Sequence, residues 1–479
     1  MSQEKQAPKG LGISAKTFIT SLLILFVLMC LTYAAVWLVP GGTYDRVINA
    51  GGMSEIVPGS YTPVEGGLPF WKWLLSPVLA LGASGGGTVL GVIAFLLVVG
   101  GVFNALDKSG LMKYMLDKLV HHYGTQRYLL MALIILFFMS MGAFIGSFEE
   151  CVPLVPIVVS LAVALGWDEL TGLGMSLLAI GCGFASGVCN PFTVGVAQEL
   201  AGLPMFSGMG FRLLVFVLIY PVITLFVYFH AKKIEKPLNP GRLIAEFTKN
   251  SAMDRGLLCF AAVLLTGFLV VFSSAYFTFL QSLTMVIVTI TFLVAGAAAV
   301  SLSGMTAPVL GKHFINGILS ILPAVLMILM ANSIQYTMTE GHIMDTVLHY
   351  ALTAAEGLSV GVRILFIYLL VMLANFFISS GSAKAFLLIP LLTPLTYGLE
   401  SPQVMISAFA FGDGFSNVLY PTNPVLLISL GLTGVSYGKW VKWTWKLQAI
   451  LLILTALLLL GSAQMNMIGH CGAIENIWR

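Results

Sequence analysis

The chain has 479 residues, 58% of them hydrophobic and only 9% charged, with a formal net charge of +3. So much apolar surface cannot be hidden in a soluble core, and the apolar runs recur at bilayer-spanning length, so the composition excludes a soluble fold and predicts an all-α polytopic membrane protein. The six cysteines form no CxxC pair and the seven histidines show no ligand spacing, so neither a metal site nor a cofactor is expected, and no nucleic-acid partner.

Lys5, Lys9 and Lys16 precede an apolar run over 17–39, too long for a signal-peptide core, which reads as a retained first helix. Basic residues cluster at the N-terminus, at 108–127, at 232–255, at Lys312 and at 439–446. Together these stretches hold 17 of the 23 Lys and Arg residues, which places them, and the N-terminus, in the cytoplasm of an inner-membrane protein. The first helix then runs outward to Pro40-Gly-Gly-Thr-Tyr-Asp-Arg46 and a polar, Gly-rich outer loop, and a span over 88–103 returns. Residues 111–122 set Leu111, Met112, Met115 and Leu119 against Lys113, Asp117 and Lys118, the pattern of an interfacial helix.

Next come apolar segments over 128–166 that flank Gly146-Ser-Phe-Glu-Glu-Cys151. Two adjacent carboxylates, Glu149 and Glu150, cost at least about a few kcal/mol in hydrocarbon, which points to a site facing water, substrate or a counter-ion. A tight loop reaching one membrane surface is the alternative, and a re-entrant hairpin and two short spans fit the charges equally. The segment over 170–200 is interrupted at Gly183-Phe-Ala-Ser-Gly-Val-Cys-Asn-Pro-Phe-Thr193, where Pro191 frees the carbonyl of Gly187. A span over 211–229 follows, then a cytoplasmic loop and spans over 256–271, 283–303 and 314–331.

From there the pattern recurs. Gly110 matches Gly341, Gly146-Ser147 matches Gly381-Ser382, Gly183-Phe184 matches Gly414-Phe415, and Asn190-Pro191 matches Asn423-Pro424, at offsets of 231, 235, 231 and 233. Charge parity sets the second interfacial helix (343–352) and second hairpin on the outer side, so the repeat is inverted, the architecture of secondary transporters. The expected organisation is 1–86 (first helix and outer loop), 87–231 (repeat one), 232–312 (cytoplasmic loop and two scaffold spans) and 313–479 (repeat two).

Four stretches should therefore converge: the tip at 146–150, the break at 187–193, the tip at 379–384 and the break at 412–424. They offer Ser147, Glu149, Glu150, Asn190, Thr193, Ser380, Ser382, Lys384, Asp413, Asn417, Thr422 and Asn423 to a small-molecule substrate. Ser380 and Ser382 should open a half-helix whose free N–H groups suit a carboxylate. Lys384 either reinforces that charge or pairs with Glu149, Glu150 or Asp413. With all four ionised the centre is negative by two, which suits a cationic substrate group, a proton or a coupling Na⁺ near Gly146, Asn190, Ser382 and Asn423. Gln198 and Glu199 are expected at the outer vestibule. Gly82-Ala-Ser-Gly85 matches an intramembrane serine protease motif but has no histidine in a nearby span. Gly412-Asp413-Gly414 has no second Asp in another span, so no enzyme is expected.

These stretches, with Ser207-Gly-Met-Gly-Phe-Arg212 and Asn190-Pro-Phe-Thr-Val-Gly-Val-Ala-Gln198, resemble the YfcC-type transporters, in the broad group that includes the DcuC-type C4-dicarboxylate carriers. The resemblance covers nearly the whole chain. It implies the ion-transporter-superfamily fold, with an outer scaffold, a mobile domain holding both hairpins, a homodimer and elevator-type movement. It further implies exchange of a basic amino acid of the arginine/ornithine type, with Na⁺- or H⁺-coupled transport of C4-dicarboxylates as the rival and a channel as a distant third.

Overall fold

The computed structural model describes residues 15–48, 54–83, 86–146, 148–204, 206–236, 249–273, 283–355, 357–396 and 401–465. Hydrocarbon offers the backbone no partner but itself, so the apolar runs wind into helix. Among the described residues, seven helices are long and apolar enough to cross a membrane, with shorter apolar helices between them.

In chain order, α1 (Ala15–Leu38) leads to two small antiparallel strand pairs, β1 (Gly42–Thr43) with β4 (Thr62–Pro63) and β2 (Arg46–Ile48) with β3 (Ser54–Ile56). Then come α2 (Phe70–Leu79), α3 (Gly86–Lys108) and α4 (Leu111–Tyr123). The first hairpin is α5 (Arg127–Ser140), extended by a π-turn to Ile145, and α6 (Val155–Ala164), preceded by a 3₁₀ turn over Glu149–Leu154. The first broken helix runs through α7 (Glu169–Leu173) and α8 (Ala179–Ser186), stops, and resumes over Pro191–Gly195 into α9 (Val196–Leu200). After α10 (Met209–Ile234), α11 (Ser251–Ser273), α12 (Thr284–Leu302) and α13 (Ala307–Glu340) comes α14 (Met344–Ala355). The second hairpin is α15 (Val360–Phe377) with α16 (Gly381–Leu392). The second broken helix is α17 (Gln403–Asn417) with α18 (Pro424–Thr433), and α19 (Tyr437–Met465) ends the described chain.

The first hairpin turns inside the protein. Gly146 is buried with φ of +75°, and an added Cβ there would meet Asn190 Oδ1 at 2.1 Å, so the tip seats on the first break and does not reach a surface. A left-handed glycine ends the helix at this point because no other residue adopts that backbone cheaply. The expected span over 314–331 is the middle of a longer helix, α13. The outer loop is also more ordered than its Gly and polar content suggested: α2 docks through Trp73, whose indole N–H donates to Met29 O at 3.1 Å.

Two packing groups result. α1, α2 and α3 pack on α13, and α12 packs on α3 and α11. The hairpins, broken helices, α10 and α19 form the other group, in which α8 crosses α17, α9 lies on α16, and α6 lies on α18. The feet of each hairpin are tied by an arginine. Arg127 donates to Leu165 O at 3.1 Å in the first, and Arg363 donates to Leu395 O at 3.0 Å in the second. The first hairpin's feet lie with Glu235, which pairs with Arg127 at 2.7 Å, while α16 of the second lies against β3. At that same end Asp345 accepts from Arg46 at 2.8 Å and from the Tyr44 backbone N–H at 3.0 Å.

The broken helices cross closely. A Cβ on Gly414 would meet Ala185 Cα at 2.2 Å. Gly414→Ala should therefore cost about 1–3 kcal/mol or more by overpacking, seen as a lower thermal midpoint in detergent. Gly461→Ala, where a methyl meets open space, should not lower it.

Candidate functional site

Each broken helix restarts on an Asn-Pro pair, and the pair does two jobs. Asn190 Oδ1 accepts from the backbone N–H groups of Phe192 (2.9 Å) and Thr193 (3.3 Å), while Pro191 occupies the first helical position, where no N–H is needed. Asn423 Oδ1 accepts likewise from Val425 (2.9 Å) and Leu426 (3.4 Å). The facing carbonyls need donors too, and these come from distant helices. Arg212 Nε donates to Gly187 O at 2.9 Å and Val188 O at 3.3 Å, so the carbonyl freed by Pro191 is not vacant. At the second break Trp440 Nε1 donates to Val418 O and the Tyr437 hydroxyl to Leu419 O, both at 2.8 Å.

The four stretches meet. The first tip seats on Asn190; at the second tip, a Cβ on Gly381 would fall 2.4 Å from Thr193 Cγ2 and 2.7 Å from Asp413 Oδ2. Glu149 is half-buried on its 3₁₀ turn, within electrostatic reach of Asp413. Ser147 and the Glu150 side chain lie outside the described residues. Ser380 caps α16, accepting from the Ala383 N–H at 3.4 Å, and lies 3.5 Å from Ser382; both serines are half-buried.

Of the partners open to Lys384, the structure selects Asp413. The ammonium and carboxylate lie 2.5 Å apart, both with 0% side-chain exposure. Lys384 also donates to Asn375 Oδ1, and the amide of Asn375 donates to Asp413 O (3.0 Å), Ser416 Oγ (2.7 Å) and Asn417 Oδ1 (2.9 Å). Asn423 Nδ2 completes the cluster on Asn417 Oδ1 at 2.9 Å. Asn375, Arg212, Ser416, Tyr437 and Trp440 were not singled out from sequence. Asn375 sits in an apolar run, the signal already used for Glu149, and would have been found by it.

Several buried polar atoms at the convergence have no partner among the described residues: Asn190 Nδ2, Thr193 Oγ1, Asp413 Oδ2 and Thr422 Oγ1. Buried polar groups are normally satisfied, so their clustering here fits a place for a polar ligand. Gln198, by contrast, lines no vestibule. It is fully buried, donating to Gln403 Oε1 (2.9 Å) and Ser207 O (2.7 Å), and so ties the end of one broken helix to the start of the other. Glu199 is exposed.

Residues 18–464 match the DcuC family, described as "C4-dicarboxylate anaerobic carrier". An Escherichia coli K12 protein named "Putative basic amino acid antiporter YfcC" is 31% identical over 79% of each chain. An uncharacterized Haemophilus influenzae protein is 23% identical, over 92% of this chain and 96% of its own. The solved structure of the Alcanivorax borkumensis YdaH transporter aligns over 93% of this chain and 97% of its own, at 17% identity and a TM-score of 0.45.

Removing one member of a buried ion pair strands its partner's charge. Lys384→Met and Asp413→Leu should each destabilise the fold by about 3–5 kcal/mol, and the double substitution should recover most of that. Thermal unfolding of the three variants in detergent reads the cycle.

Proposed function

The chain belongs to the DcuC family of carriers and is a multi-pass membrane transporter; from that premise we propose that it is a secondary transporter of the inner membrane that exchanges basic amino acids. One observation carries the substrate reading. Lys384 is held by Asp413 and Asn375, so the positive charge of the second tip is already cancelled, while no salt bridge among the described residues engages Glu149. A half-buried carboxylate without a protein cation suits a guanidinium or ammonium side chain. The substrate's own carboxylate would meet the start of α16, where Ser380 and Ser382 are half-buried. Asn190, Thr193, Thr422 and Asp413 Oδ2 supply the polar contacts between. The name of the Escherichia coli relative agrees with this reading.

The position of this centre supports alternating access. Glu149–Leu154 packs on α3, and α18 packs on α13 and α1, so the centre is at the seam between the two helix groups. We read the hairpins and broken helices as the moving body, α13 and its neighbours as the scaffold, an elevator as the motion and a homodimer as the assembly. The basic loops set the N-terminus in the cytoplasm.

A second reading, a C4-dicarboxylate or related carboxylate taken up with Na⁺ or H⁺, is favoured by the family's description and by the open serine tip. Liposomes carrying the purified protein separate the two. Internal arginine or ornithine should drive uptake of labelled arginine, whereas stimulation by internal succinate alone would select the second reading. Glu149→Gln should raise the KM for arginine about 10–100-fold, the loss of a charge-assisted hydrogen bond, with little change in thermal midpoint. An unchanged KM would remove Glu149 from the site.

A further inference from the structure

We propose that Asn417 turns the NH2 group of its side chain to the substrate's carboxylate, with Asn375 and Lys384 behind it as positioning residues that fix which way this amide faces. The inference deepens the site reading above and rests on it only for a substrate that bears a carboxylate, which both substrate classes supply.

An asparagine amide carries an acceptor on one arm and donors on the other, so its neighbours decide which arm meets a ligand. Asn417, the last residue of α17 and 2% exposed, has neighbours that admit one orientation. From one side the order starts at Lys384. An ammonium only donates, so Asn375 presents Oδ1 to it and turns Nδ2 away. That Nδ2 donates to Asn417 Oδ1 at 2.9 Å, and also to Asp413 O and Ser416 Oγ. From the other side the order starts at α18. The backbone N–H groups of Val425 and Leu426 also only donate, so Asn423 gives them Oδ1 and its Nδ2 donates to Asn417 Oδ1 at 2.9 Å. Both chains bring a donor to the same atom. Turned over, Asn417 would set its NH2 group against two others, neither of which can reverse.

Asn417 Nδ2 itself has no partner among the described residues. The first break reaches the same outcome by a shorter route: Asn190 gives Oδ1 to the N–H groups of Phe192 and Thr193, and its Nδ2 is buried without a partner among the described residues. Each break thus ends in one neutral amide donor held in a fixed orientation, and an unpartnered donor at this depth calls for an acceptor. Lys384 is not that donor, because its side chain is 0% exposed and its ammonium is held by Asp413. It acts on the substrate through two amides, Asn375 and then Asn417.

Calorimetric binding of arginine and of agmatine, which is arginine without its carboxylate, to the purified protein tests this. Asn417→Asp keeps an oxygen for Asn375 and Asn423 and replaces only the donor, while Asn417→Leu removes the donor without adding charge. Both should weaken arginine about 10–100-fold, the loss of a hydrogen bond to a charged group, and leave agmatine within about threefold. Asn375→Leu should weaken arginine about threefold to tenfold and again spare agmatine, a split that a purely structural role does not produce. Equal losses for the two ligands, or unchanged arginine affinity, would overturn the proposal. If Asn417→Leu does not fold, Asn417→Asp and Asn375→Leu decide. A wild-type protein that binds succinate and not arginine would refute the amino acid reading, and the same variants should then weaken succinate about tenfold or more. Succinate binding left unchanged by them would overturn this proposal too.

Discussion

Interrupting a helix inside hydrocarbon leaves carbonyls on one side of the gap and N–H groups on the other, each costing about several kcal/mol if left bare. The N–H side is closed locally and in the same way twice, by an asparagine whose side chain folds back over the turn it begins. The carbonyl side is closed from elsewhere and differently: by a guanidinium from α10 at the first gap, and by an indole and a phenol from α19 at the second. This requirement explains why α10 and α19 lie alongside the gaps. Arg212 also helps the first break tolerate full burial, since one guanidinium donates to the consecutive carbonyls of Gly187 and Val188 and is anchored on Ser207 O.

The two hairpins hold their charges differently. Lys384 and Asp413 Oδ1 are paired and deeply buried, with Asn375 bridging the pair to the carbonyl of Asp413 and to Asn417, while Asp413 Oδ2 is left without a partner among the described residues. Such a pair adds little net stability over an apolar one but fixes geometry, here the approach of the second tip to the second break. Glu149 occupies the place in the first hairpin that Lys384 occupies in the second, at the offset of 235 that relates the two Gly-Ser tips. One hairpin thus carries a charge consumed by structure, and the other a charge still exposed in part to whatever enters.

The legible features were those with local causes. Gly146 and Asn190-Pro191 announce a turn and a helix start because glycine reaches positive φ and Asn-Pro caps, whatever surrounds them. Glu149 stood out because carboxylates are rare in apolar runs. Arg212, Trp440 and Tyr437 were not legible as site-shaping residues, because their partners lie 18 to 25 positions away across a gap whose direction the sequence does not give. Arg127 and Arg363 were readable as basic residues near loops, but not as clamps, since Leu165 and Leu395 contribute only backbone. Gln198 was misplaced for a related reason: a polar residue beyond a break reads as solvated, and only Gln403, from the other broken helix, makes its burial affordable.

The glycine contacts bear on how the molecule could change state. The first tip rests on Asn190, the second on Thr193 and Asp413, and α8 crosses α17 with no room for a single added methyl. α9 lies on α16 and α6 on α18, so each hairpin touches the restarted helix of the other. Opening one tip alone would uncover Asn190 or the Lys384–Asp413 pair and break contacts on both broken helices together. Against the other helix group, the same body presents α18 to α13 and α1, and the Glu149–Leu154 turn to α3. The elevator proposed above would move these contacts together, whereas opening one tip alone would strand the charge of the buried pair.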